Sequence, residues 1–400
     1  MTANDKNDNA PGTRIPIPDY VANLNPYKPG KPIEELAREK KLTRIIKLAS
    51  NENPLGPSPK AVAAIEKALG MLHRYVDPGT PQLVQALASR LGKSPAQIIC
   101  GHGTDSLLAG TVNAFMNRGE HLLTVEGTFI GIYVSTQKLG HELRLVPLES
   151  WGFDLEAIAD GINSRTRIVY LANPNNPTGT MFTRDAFEHF MTRVPSDVLV
   201  ILDEAYDAYA ALHQDYPNGT DYDYPNLLVT RTLSKIYGLG GLRIGYAVGP
   251  DNIIAQLYKV RLPFEPNLLA QAGALGALDD DAFLLRTLEL NTRSLEALRQ
   301  AFVRMNIPFV ETAANFYMLL MPDRDFALEF YEQCLNRGLI VRPLERFGID
   351  RGIRINSGTD DETSLALEII DEVWNLLCRR RHIDPQSITS QGSVNETCIV

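Results

Sequence analysis

RIVYLANPNNPTG (167–179) and VLVILDEAYDAY (198–209) decide the fold. Each is a short, unbroken apolar run that stops in a polar cluster, and between them Thr183 to Val194 reads as a helix. A strand with no polar alternation is one buried on both faces, and such strands separated by helices build a mostly parallel sheet. Runs of the same kind lie on either side, at QIIC (97–100), HLLTV (121–125), LRLVPL (143–148), NLLVTR (226–231) and IGYAVG (244–249). Upstream, Ser58 with Pro59 opens a helix carrying Val62, Ile65 and Leu69 to a stop at Gly70, and Thr80 with Pro81 opens another carrying Leu83, Leu87 and Leu91 to Gly92. The class is α/β. Beyond about Gly249 the pattern changes to long helices, 267–279 and 281–305, followed by short strands at 316–321 and 353–355. Residues 1–45 are therefore expected to form a polar tail and an arm, 46–279 a large domain, 280–382 a smaller α+β domain, and 383–400 a flexible tail without helical period.

Composition narrows the function classes. The 400 residues carry 39 Lys and Arg against 48 Asp and Glu, a formal charge of −9, which argues against a nucleic-acid binder needing a basic field. Apolar runs are far shorter than the ~18 residues of a membrane span, and the N-terminal MTANDKNDNAPGTR lacks the apolar core of a secretion signal. A cytoplasmic protein is expected. Cys100, Cys334, Cys378 and Cys398 form no CxxC pair and the seven histidines no HxxxH pair, so neither a disulfide framework nor a metal site is signalled.

In an open α/β sheet, ligands sit at the carboxyl ends of the strands, so the polar residues there carry the chemistry. GHGTDS (101–106) is a glycine turn running into a helix, where free N–H groups and the helix dipole suit a phosphate. A dinucleotide site is the competing interpretation, with Glu126 as the ribose acid, but Ser106 stands where the third glycine belongs. NPNNPTG (173–179), Asp203 in DEAYDAY, and Lys235 with Arg243 in SKIYGLGGLRIG (234–245) end the other strands. A lone surface lysine or a capping aspartate is commonplace; all of these at one sheet edge are not.

Together with IRINSGT (353–359), these motifs resemble the class I/II, fold-type-I aminotransferases that use pyridoxal 5′-phosphate (PLP), over about residues 20–380. PYKPGKPIEEL (26–36), NENPLGPSP (51–59) and RYVDPGTPQL (74–83) are most similar to the histidinol-phosphate aminotransferase branch. The resemblance implies Lys235 as the Schiff-base lysine and proton carrier, Asp203 on the pyridine nitrogen, and Tyr206 and Asn176 on the ring's phenolic oxygen. It implies a phosphate held by Gly103, Thr104, Asp105, Ser234 and Arg243, and Phe129 stacked on the ring, although EGTFIGIY (126–133) leaves Tyr133 as the other candidate. Arg354 would grip the substrate carboxylate, with Asn53 lining the same side. Tyr20 and Tyr27 on the arm and Arg342 in LIVRPL would contact substrate, and Tyr75 would reach the partner's cofactor phosphate in a homodimer.

The expected reaction is transamination between an amino donor and a 2-oxo acid, with histidinol phosphate and 2-oxoglutarate preferred. Ser106 and PFEPN (263–267) depart from the family pattern on the substrate side. An aromatic or specialised-metabolite aminotransferase is the near alternative, followed by a PLP decarboxylase or racemase. A non-catalytic ligand sensor and a nicotinamide dehydrogenase are the remote ones.

Overall fold

The computed structural model describes residues 15–24 and 30–388. A two-residue strand, β1 (Ile46–Lys47), precedes the seven strands of the main sheet. These are β2 (Ile98–Gly101), β3 (His121–Val125), β4 (Glu142–Val146), β5 (Thr166–Ala172), β6 (Leu199–Asp203), β7 (Leu227–Thr232) and β8 (Gly245–Val248). Their order across the sheet is β2-β8-β7-β6-β5-β3-β4, with all pairs parallel except those of β8, which runs antiparallel to both neighbours. Every residue of β3, β6 and β7 is buried, as their unbroken apolar sequences require. β4 departs from the expectation of two buried faces. It is one of the two edge strands, and Glu142, Arg144 and Leu145 keep it half open to water.

Helices close both faces of this sheet. Ser58 caps the helix Pro59–Ala68 through its hydroxyl, which accepts from the backbone N–H of Lys60 and Ala61. Thr80 starts the helix Pro81–Leu91 differently. Its backbone is left-handed (φ 48°) and its side chain makes no cap bond.

A second, antiparallel sheet of order β12-β13-β10-β9 is built from β9 (Phe309–Val310), β10 (Phe316–Leu320), β12 (Arg342–Pro343) and β13 (Gly352–Asn356). Beside it, β11 (Leu339–Ile340) pairs in parallel with β1, so Ile46 and Leu48 join the core of this second body, around Phe302, Phe330 and Trp374. The long helix Asp281–Met305 connects the two bodies. Among residues expected to be irregular, the arm forms the helix Ile33–Lys40, anchored by buried Leu36, and Pro385–Ile388 makes one helical turn.

Candidate active site

The parallel strands β5 and β6 set the geometry of the site. Ala172 lies beside Asp203 in the register, so their side chains share one face of the sheet with Tyr170, two residues earlier on β5. Tyr170 reaches diagonally across and donates its O–H to Asp203 Oδ2 at 2.7 Å, while the Ala205 N–H reaches Oδ1 at 3.2 Å. Burial, with a smaller push from Asp105, carries the Asp203 carboxyl up to about 6 against Tyr170, the Ala205 N–H and the Thr230 hydroxyl, so its charge is only partly compensated by the protein.

Asp203 backs a cavity of about 200 Å³ whose lining includes Phe129, Asn176, Tyr206, Ser234, Lys235 and Arg243. Lys235 Nζ lies 3.2 Å from the Ser50 carbonyl oxygen, to which it donates. Burial, with help from nearby Arg354, pulls its ammonium down to about 8. At the other end of the cavity the helix Gly103–Phe115 begins, and Arg243 closes over its first turn. Gly103 has φ +71°, and a Cβ there would come within 2.9 Å of the Arg243 guanidinium; only glycine permits this approach. Arg243 lies 3.0 Å from Asp105 Oδ2 and 3.5 Å from Ser234 Oγ, and Thr104 and Asp105 complete the wall.

Tyr206 is buried, and its hydroxyl accepts from Asn51 Nδ2 at 2.6 Å. Arg354, also buried, donates to Asn176 Oδ1 and, at 2.9 Å, to the Ala49 carbonyl, with its guanidinium 5.2 Å above the Phe316 ring. The Phe316 ring, on which the Tyr206 ring also packs edge-on at 5.3 Å, lies between the two.

A second cavity, about 460 Å³, continues outward from the first and shares Asp105, Phe129, Asn176, Lys235 and Arg243 with it. Arg354 lies in its wall, and Arg342 and Lys138 add two more cations; Asp105 is the sole acid of the lining. Ile130, Val134 and Phe347 supply apolar surface.

Most of the residues singled out in the sequence converge here. Phe129, not Tyr133, faces the cavities, because the Tyr133 hydroxyl is turned inward to the Val125 carbonyl at 2.6 Å. Asn53 is a correction. Its amide N–H groups are taken by the Ile236 carbonyl at 2.7 Å and Thr287 Oγ1 at 3.2 Å, and its Oδ1 by the Leu55 N–H at 3.0 Å, so it ties the loop and leaves the cavity wall to Asn51. Tyr20 packs on Gly140, away from both cavity linings. Tyr75 is 83% exposed and stacks on Phe264 at 4.4 Å, outside its own chain's cavities. Tyr27 lies outside the described residues.

Tyr170, Asn51 and Lys138 were not anticipated from the sequence. The first carried a usable signal: a tyrosine two positions before a strand's end, on the face of an active-site carboxylate, has a polar tip to satisfy.

The donor set fits pyridoxal phosphate. An under-compensated buried carboxylate suits a protonated ring nitrogen, a lysine of lowered pKa suits an aldehyde, and a helix N-terminus with an arginine and a serine suits a phosphate. Comparison with known proteins agrees. The family described as Aminotransferase class I and II matches residues 43–370. The chain belongs to that family and is a PLP-dependent aminotransferase. It is 41% identical to histidinol-phosphate aminotransferase 2 of Hydrogenovibrio crunogenus over 88% of this chain and 95% of that one. With the histidinol-phosphate aminotransferase of Moorella thermoacetica it shares 39% identity over 92% and 96%. The histidinol-phosphate aminotransferase of Sinorhizobium meliloti, solved in complex with pyridoxal-5′-phosphate, superposes with a TM-score of 0.82 at 29% identity, covering 90% of this chain and 98% of that one.

Proposed function

We propose that the enzyme takes its amino group from histidinol phosphate and passes it to 2-oxoglutarate. The observation that carries this reading is the outer cavity, which adds Arg354, Arg342 and Lys138 to the Lys235 and Arg243 it shares with the inner one and offers apolar surface from Ile130, Val134 and Phe347. Histidinol phosphate carries its phosphate on one arm of the amine-bearing carbon and its imidazole on the other, and a cationic mouth beside apolar surface offers a place for each. Among the described residues neither Arg342 nor Lys138 has an ion-pair partner in the protein, so both are available to a phosphate.

In this reading Asp203 holds the proton on the cofactor's ring nitrogen, Tyr206 and Asn176 bond its phenolic oxygen, and Phe129 covers its face. Ser234, Arg243 and the first-turn N–H groups of Gly103, Thr104 and Asp105 hold its phosphate. When bound, pyridoxal phosphate supplies the carbonyl that takes up the amino group and the ring that accepts the electron pair left at the α-carbon. Lys235 Nζ anchors it and carries the α-proton. A lysine at about 8 keeps roughly a tenth of its population as free base near pH 7, far more than a surface lysine does. Arg354 pairs with the carboxylate of 2-oxoglutarate.

The same reading includes two domains, 46–279 and 280–382, and a two-fold dimer. Tyr75 and its stacking partner Phe264 are exposed, as are Leu69, Met71 and Leu72 just before Tyr75 in the chain and Leu262 just before Phe264, and a second copy would cover them, with Tyr75 directed at its cofactor phosphate. A cytoplasmic location suits the buried free thiols Cys100, Cys334 and Cys378. Turnover of histidinol phosphate beside phenylalanine and tyrosine tests the donor. Faster turnover of either aromatic amino acid overturns it, and Tyr27→Phe, Arg342→Ala and Lys138→Met should each weaken the phosphate substrate more than 2-oxoglutarate.

A further inference from the structure

We propose that Tyr170 is a positioning residue for the cofactor: its O–H fixes the Asp203 carboxylate in place and keeps it ionised, so that the pyridine nitrogen meets a charge rather than a neutral acid. The inference rests on the role given above to Asp203. Tyr170 is fully buried in the main core, and its ring lies among apolar side chains, so nothing but the carboxylate receives its hydroxyl. The bond is 2.7 Å long and lies on the cavity side of the sheet, where both residues line the cavity. A phenylalanine would fill the same apolar space, so the hydroxyl is there for Asp203.

The need for it follows from what surrounds the carboxylate. Among the described residues Asp203 has no cation paired to it; from the helix Gly103–Phe115 Asp105 adds a like charge, the Ala205 N–H and Thr230 on β7 help hold the charge less strongly than Tyr170 does, and Tyr206 and Lys235 share the cavity. The neighbouring acid, Glu204, is handled in another way. It points to the opposite face and is paired with Arg231 at 2.7 Å and 2.9 Å and with the Gly219 N–H at 2.6 Å. Pairing Asp203 to an arginine in that manner would neutralise the charge the cofactor has to find. A phenol donor stabilises the carboxylate without cancelling it.

The test is the affinity of cofactor-free enzyme for pyridoxal phosphate, measured by fluorescence between pH 5 and 8.5 for the parent and Tyr170→Phe. Titrations of the cofactor itself are common to both, so the difference isolates the protein group. Removing the donor should move the pH below which affinity falls upward by about one unit, the scale of one neutral hydrogen bond to a carboxylate. Affinity at pH 8.5 should stay within a few-fold of the parent. In an Asp203→Asn background the Tyr170→Phe change should have no further pH-dependent effect, since its target is gone. An unmoved midpoint, or an equal loss at every pH, overturns the proposal. If Tyr170→Phe yields no folded protein, fluorotyrosine at position 170, a stronger donor, should move the midpoint downward, and no movement would again overturn it. Parent-like affinity in Asp203→Asn alone is a separate result and would overturn the underlying role of Asp203.

Discussion

The inner cavity and the outer cavity share a wall but are held in different ways. Around Asp203 and Tyr206 the carboxylate and the phenol are buried and tied by short bonds, from Tyr170 to Asp203 at 2.7 Å and from Asn51 to Tyr206 at 2.6 Å. At the mouth, Lys138 is exposed, Arg342 is half-buried, and the arm passes nearby at Gly30, whose Cβ would lie 3.1 Å from the Arg342 guanidinium. A rigid inner site suits the part of the reaction common to all substrates, and an open, charged mouth suits the part that selects among them. Substitutions inside should therefore damage every substrate alike, and substitutions outside should discriminate.

The largest effect is expected for Lys235→Ala. Positioned proton transfer alone contributes roughly 10² to 10⁴-fold, and the covalent anchor is lost with it. Single-turnover assays with either substrate should show activity down by more than about 10³-fold, while cofactor still binds through its phosphate contacts. Borohydride-fixed cofactor on any other lysine would sink the assignment.

Asp203→Asn comes next. An amide cannot hold the pyridinium proton by charge, and removal of one preorganised electrostatic partner costs ~10² to 10³ in rate. Both half-reactions should fall together; a few-fold change in either would show that the ring nitrogen does not depend on this carboxylate.

Arg354→Ala stands on the boundary between the two cavities and should split the substrates. Loss of one side of a desolvated guanidinium–carboxylate pair costs about 2 to 5 kcal/mol, read as a raised KM for 2-oxoglutarate. Histidinol phosphate, without a carboxylate, should lose less. Equal losses would mean that one arginine serves both anions, and with that the division between inner and outer cavities would fail.

The same division explains what was legible in the sequence. NPNNPTG, DEAYDAY and SKIYGLGGLRIG follow strands whose apolar runs fix their position, so Asn176, Asp203, Lys235 and Arg243 could be placed at one sheet edge from local pattern alone. Tyr170 was hidden inside such a run, where a tyrosine counts as core, because its role depends on the β5–β6 register. Asn51 and Asn53 show the limit from another side. They lie two residues apart in NENP, and which of them faces the cavity depends on the left-handed turn at Asn51, φ 55°, which no local spacing reveals. Lys138 follows the helix IGIYVSTQ (130–137), whose apolar residues crowd its first half and mark no clear polar face, so only the folded arrangement brings it to the mouth.

The smallest effect expected concerns stability rather than rate, and it sharpens the contrast by asking what the inner site costs before cofactor binds. The Lys235 ammonium ionises near 8 in the folded protein against 10.5 in the unfolded chain, chiefly through burial. Below pH 8 the folded state must therefore keep a charge in a place that disfavours it, whereas above 10.5 both states are neutral and the penalty disappears. A depressed lysine pKa thus makes cofactor-free enzyme gain stability as pH rises from 8 to 10.5, the unfolded chain being the form that binds more protons in that window. At about 1.4 kcal/mol per pH unit the ceiling is ~3 kcal/mol, and water entering the open cavity should reduce it to about 1 kcal/mol. Lys235→Met removes the charge and keeps the length, so cofactor-free Lys235→Met should melt a few degrees above the parent at pH 7, with the advantage shrinking as pH approaches 10.5. Lys138→Met, at the exposed mouth, should show no such gain at any pH. A Lys235→Met protein that is less stable than the parent at pH 7 would mean that the amine's bond to the Ser50 carbonyl, 3.2 Å away, outweighs its desolvation, and that the inner site is not strained in the absence of cofactor.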